Sequence, residues 1–132
     1  MGMFQVQVKV THPHDATRSF AEAFWVDSGA YHSYVPEDRL AGIGLTPLRT
    51  REFTLADGRK DRRLIGEAVF YIDALGEQAT CQVVFGPPGS LYLLGASALE
   101  AFTVGIDPVA QKLTPITAVI APACHLATNP RL

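Results

Sequence analysis

Charge is scarce in this chain. Only 18% of its 132 residues are charged, and the formal net charge is −2. That balance gives no electrostatic case for nucleic acid as a partner. Long apolar runs are also missing. The stretch from Ile116 to Ala123 contains Pro122 and is far too short to cross a bilayer, so no membrane partner is expected. Met1-Gly2-Met3-Phe4 lacks the basic start and apolar core of a secretory leader, and the expected location is the cytoplasm. Cysteine is limited to Cys81 and Cys124, without metal or redox spacing. They read as free thiols in a reducing compartment, with a disulfide as the alternative. No internal repeat and no linker divides the chain.

What is present fits one globular domain. Hydrophobic residues make up 48% of the chain, enough for a real core at this length. The expected boundaries are a domain over residues 1–120 and a tail over 121–132. Phe4, Val6, Val8 and Val10 alternate with Gln5, Gln7 and Lys9, the period of a half-buried strand. His12-Pro13-His14-Asp15 punctuates it. A second strand is expected from Ser19 to Val26, joined to the first by something looser than a two-residue turn. Pro36-Glu37-Asp38 opens a short helix, which Gly42 and Gly44 end.

Strands are expected over Arg49 to Leu55, Leu64 to Ile72 and Gln78 to Phe85. Asp57-Gly58 sits between the first two as a hairpin turn, with both residues expected at positive φ. Gly86-Pro87-Pro88-Gly89 is a loop. Leu91 to Leu94 is a short strand that stops at Gly95, and Ala96 to Phe102 is a short helix. Asp107-Pro108 turns between two final strands. The sum is a mostly-β domain with one or two short helices.

The most informative stretch is Asp27-Ser28-Gly29, which follows the apolar run Phe24-Trp25-Val26. An acid at the end of a buried strand, beside a small hydroxyl residue and a glycine, suits a catalytic carboxylate. The same triplet also makes a good turn, in which Asp27 would be only a cap. Further features follow in order: the Ala56-Asp57-Gly58 hairpin tip, Leu93-Leu94-Gly95 running into Leu99-Glu100, and Asp107-Pro108 through Leu113-Thr114-Pro115. In this order they resemble the retropepsin-like aspartic protease family, above all its small bacterial single-domain members. The resemblance covers roughly residues 3–116.

The resemblance implies a single-domain acid protease barrel closed by homodimerisation. It implies that Asp27 is catalytic and works with Asp27 of a second copy, because the motif occurs once. Ser28, Gly29, Ala30, Leu94 and Gly95 would support the active-site loop. Ala56, Asp57, Gly58 and Arg59 would form a flap over an extended peptide. The activity implied is peptide hydrolysis without metal or cofactor. The flap departs from the family pattern, being short and charged where relatives often carry apolar residues or glycine. A binding or dimerisation module with this fold and little activity is the alternative, and an interaction barrel with an accidental Asp-Ser-Gly is a third reading.

Other candidates have plainer explanations. Arg59, Lys60, Arg62 and Arg63 could favour an acidic substrate, but such a run more often forms a solvated strand face. His12 and His14 fit a surface turn better than a metal site. His32, Tyr31 and Tyr34 follow the motif closely, yet local packing accounts for each. Trp25 fits core or interface packing. Cys81 has no activating neighbour and reads as inert.

Overall fold

In a computed structural model, residues 3–117 of the chain are described. Cys124 and the expected tail lie outside them. Strand β1 (Gln5–His12) buries Val6, Val8 and Val10 and exposes Gln5, Gln7 and Lys9, as the period-two pattern requires. Its partner β2 (Asp15–Val26) ends with Phe24 and Val26 buried.

The connection corrects the sequence reading. The hairpin turns on Pro13 and His14 alone, and β2 starts at Asp15 rather than Ser19. Thr11 pairs with Ser19 but His12 pairs with Asp15. That register break absorbs Ala16, Thr17 and Arg18 as a bulge, so a tight turn fits where the spacing looks loose.

Short β3 (Ser33–Pro36) leads into α1 (Glu37–Gly42). Pro36 occupies the N-cap position of α1, Glu37 and Asp38 lie in its first turn, and its Leu40 side chain is fully buried. Then come β4 (Arg49–Thr54), β5 (Lys60–Ile72) and β6 (Glu77–Gly86), followed by β7 (Leu93–Leu94) and α2 (Ala96–Phe102). A hairpin of β8 (Val104–Asp107) and β9 (Lys112–Pro115) completes the described residues.

The main sheet has seven strands in the order β1-β2-β7-β3-β6-β5-β4. A further antiparallel pairing of β1 with β5 joins Val8 to Ile72 and Val10 to Phe70. This closes six of the seven strands of that sheet, all but β4, into a barrel within one chain. The ribbon of β4 and the first half of β5 projects from that ring.

Alternate residues of the ring point inward. Phe24 and Phe70, neither of them exposed, meet edge to face with ring centroids 5.6 Å apart. Val83, Leu94, Ala98 and Phe102 extend the same core under α2. Cys81 is buried in β6, and burial alone pushes its thiol pKa up to about 12.

A thiolate is the reactive form, so Cys81 should not react in the native protein. We expect peptide mapping after iodoacetamide treatment at neutral pH to find Cys81 unmodified in native protein and modified once the chain is unfolded. Rapid native labelling would mean that β6 opens far more readily than its packing implies.

Candidate active site

Strand β2 delivers Asp27 to an open edge of the barrel. Trp25 and Val26 pair in parallel with Leu93 and Leu94 of β7. The Asp27 N–H donates to the Leu94 carbonyl at 3.0 Å, and the Val26 N–H donates to the Phe4 carbonyl at 2.9 Å. The chain then turns sharply. The Gly29 N–H donates to Asp27 Oδ1 at 2.9 Å, and the Ala30 N–H donates to the Asp27 carbonyl at 3.2 Å. One carboxylate oxygen is thereby fixed, while the side chain stays only half-buried. A Cβ on Gly29 would stand 3.2 Å from that oxygen, so this position is crowded.

The far side of the loop is held by α2. A helix start leaves backbone N–H groups without partners. Here the Ala96 N–H donates to the Ala30 carbonyl at 2.7 Å, and the Ser97 N–H donates to the Tyr31 carbonyl at 2.8 Å. The Gly95 N–H donates to Ser33 Oγ at 3.0 Å, in a fully buried position. Gly95 has no room for a side chain. A Cβ there would overlap the His32 carbonyl and stand 2.8 Å from the Ala30 carbonyl oxygen. Leu94 and Gly95 thus lie directly beneath the loop that carries Asp27, Ser28, Gly29 and Ala30.

Sequence reasoning passed over Ser33, the buried polar side chain in this arrangement. Its one visible signal was a small hydroxyl residue entering an otherwise apolar stretch, Tyr34-Val35. The acceptor role depends on β7 lying beside β3, and spacing along the chain does not show that.

The β4–β5 ribbon rises over the same edge. Its tip differs from expectation. The Gly58 N–H donates to the Leu55 carbonyl at 2.9 Å, and the Leu55 N–H donates to the Arg59 carbonyl at 2.7 Å. Only Gly58, at φ +87°, is left-handed, because the loop has three residues and needs one such position rather than two. Ala56, Asp57, Gly58 and Arg59 are all exposed. Arg59 Nε pairs with Asp57 Oδ2 at 2.6 Å, so the two tip charges engage each other.

Phe53 of β4 meets the His32 ring edge to face at 5.2 Å. His32 also packs against Tyr31 at 5.0 Å. Partial burial, reinforced by the nearby Arg49 guanidinium, holds the His32 pKa below the usual histidine value. The ribbon therefore touches the Asp27 loop through His32. Tyr34 is half-buried in β3, opposite Leu93.

Two hollows adjoin the loop on its outer side. One is lined by Phe4, Asp27, Ser28, Gly29 and Ile106, among others. The other, of about 340 Å³, lies between Ser28, Leu99, Gly105, Ile106 and Pro108 and is mostly apolar. A hollow larger than either lies elsewhere, around His12, His14, Lys9 and Tyr71 at the β1–β2 turn. Its concave shape carries no constellation for chemistry: His12 Nδ1 accepts the His14 N–H at 3.0 Å, and no metal-holding cluster occurs among the described residues.

No protein-family model and no curated protein matches the chain. Solved structures do. The Simian Foamy Virus (mac) protease, determined in solution, is 18% identical, with a TM-score of 0.53; the match covers 74% of this chain and 92% of that one. The foamy viral protease-reverse transcriptase, solved with an RNA/DNA hybrid, is 15% identical, with a TM-score of 0.51. That match covers 92% of this chain and 14% of the larger one. The likeness shows the fold alone: the chain has a retropepsin-like barrel fold, mostly β with two short helices.

Ser33 supplies the test of the loop's anchorage. Ser33→Ala leaves the buried Gly95 N–H without a partner and should cost about 1–3 kcal/mol in chemical denaturation. Amide exchange at Gly95 and Ala96 should accelerate with it. Unchanged stability and exchange would show that the hydroxyl does not hold this junction.

Proposed function

We propose that this protein is a homodimeric aspartic endopeptidase that hydrolyses peptide bonds with water activated between Asp27 and Asp27 of a second copy. The observation that carries this reading is the setting of Asp27. Its carboxylate is fixed on one oxygen by the Gly29 N–H and half-open to solvent, at the edge of a fold shared with two viral proteases.

The chemistry needs an acid and a base on one water. Two carboxyl groups brought close cannot easily both ionise, so they share a proton, as is established for aspartic proteases. The ionised member takes a proton from the water, whose oxygen bonds to the scissile carbonyl carbon. The protonated member donates to the carbonyl oxygen. As the C–N bond breaks, a proton passes to the leaving amine.

Each chain supplies one such carboxylate, so the site is complete only across a two-fold axis. The apolar hollow beside Ser28, with Leu99, Ile106 and Pro108 around it, supports a partner copy at that face. In this reading Ser28 bonds across the interface, and Gly29, Ala30, Leu94 and Gly95 keep the two loops in register. The β4–β5 ribbon acts as the flap. Its tip, Ala56 to Arg59, closes over extended peptide and excludes bulk water. No helix among the described residues is long and apolar enough to cross a membrane.

The charged tip gives the binding-module alternative its support, since Asp57 and Arg59 satisfy each other without substrate. Hydrolysis separates the two. Asp27→Asn should lower peptide hydrolysis by about a hundredfold to ten-thousandfold, the usual contribution of a general acid or base. Dimer mass and circular dichroism should stay the same. Turnover equal to the unaltered chain would rule out the mechanism, and peptide binding without cleavage by the unaltered chain would favour the module.

A further inference from the structure

The basic run near the flap does not form one surface. Paired residues of an antiparallel ribbon share a face. On β4 and β5, Thr54 pairs with Lys60, Glu52 with Arg62 and Thr50 with Leu64. The other face carries Phe53 opposite Asp61, Arg51 opposite Arg63 and Arg49 opposite Ile65. Phe53 packs on His32, five residues after Asp27. That second face therefore looks toward the candidate active site. The register divides the run, with Lys60 and Arg62 on the outside and Arg63 within.

The inner face has three guanidinium groups and one carboxylate. Asp61 engages Arg63 at 2.8 Å. Arg49 and Arg51 have no carboxylate partner among the described residues, and Arg49 Nε is buried without a hydrogen bond. Setting Arg51 directly opposite Arg63 costs repulsion that the fold itself does not need. A buried guanidinium donor without an acceptor is likewise costly. A carboxylate brought by a ligand relieves the repulsion, because guanidinium binds it through two parallel hydrogen bonds.

We propose that Arg49, Arg51 and Arg63 select peptides carrying aspartate or glutamate close to the scissile bond. This rests on the protease reading above, which puts extended peptide beneath this face. A two-fold axis would repeat the cluster on both sides of the bond, so acidic residues are favoured on either side. A nucleic-acid strand suits the face less well. It needs a continuous basic track, and here Asp61 interrupts one.

The test uses full-length Asp27→Asn protein, which can be studied without hydrolysis, and fluorescent extended peptides differing only in Glu, Gln or Lys beside the central bond. The Glu peptide should bind about tenfold more tightly than the Gln peptide. The difference should shrink as salt rises from about 0.01 M to about 1 M, where screening is nearly complete at contact range. Adding Arg51→Glu should move the preference toward the Lys peptide, and Arg63→Gln should weaken the Glu preference if the first variant does not fold. Equal binding of Glu and Gln peptides overturns the proposal, as does tighter binding of single-stranded oligonucleotide than of the Glu peptide. A Glu preference in a chain that cleaves nothing supports acidic selection and rejects the protease reading. Failure to bind any peptide overturns both.

Discussion

The start of α2 and the loop after β2 need each other. The first N–H groups of α2 have no side-chain cap, and the carbonyls of Ala30 and Tyr31 accept them instead. Ser33 accepts the Gly95 N–H beside them. The approach is so close that Gly95 cannot carry a Cβ. Three bonds within a few residues thus tie the loop to the start of a helix whose Ala98, Leu99 and Phe102 are buried in the core. The Asp27 carboxylate then needs only the Gly29 N–H to settle its direction. Pre-organisation of this kind matters to catalysis, where loss of position is costly.

The barrel explains why that junction holds. Pairing of β1 with β5 closes the ring around Phe24 and Phe70, and β7 reaches Asp27 only because β2 and β3 lie on either side of it. Outside the ring, the β4–β5 ribbon has few core contacts of its own and leans on the loop through Phe53 and His32. Rigid support below and a lighter element above is the division of labour a closing lid requires. The same face of the ribbon carries Arg49, Arg51 and Arg63, so in the proposed function closure and recognition of charge would involve one surface.

Local features were legible in the sequence where the local rule was decisive. Alternation placed β1, and the composition between Gly95 and Thr103 placed α2 at its observed limits. Asp27-Ser28-Gly29 and Leu94-Gly95 could be related to each other only through resemblance, since they are distant along the chain and meet through a parallel pairing. Short β3 escaped notice because its four residues show no alternation, with Ser33, Val35 and Pro36 all buried. The β1–β2 turn looked loose because a bulge absorbs residues that spacing assigns to a loop. Arg59 to Arg63 looked like one patch because a face depends on register, and register depends on a partner strand.

The central claim is that Asp27 acts only beside its own symmetry copy. A crystal structure of the dimer measures this directly, through the separation of the two Asp27 carboxylates. The account predicts that they lie within hydrogen-bonding distance across a two-fold axis, sharing one water. A dimer that holds them far apart, or a chain that stays monomeric at every concentration tested, would contradict it.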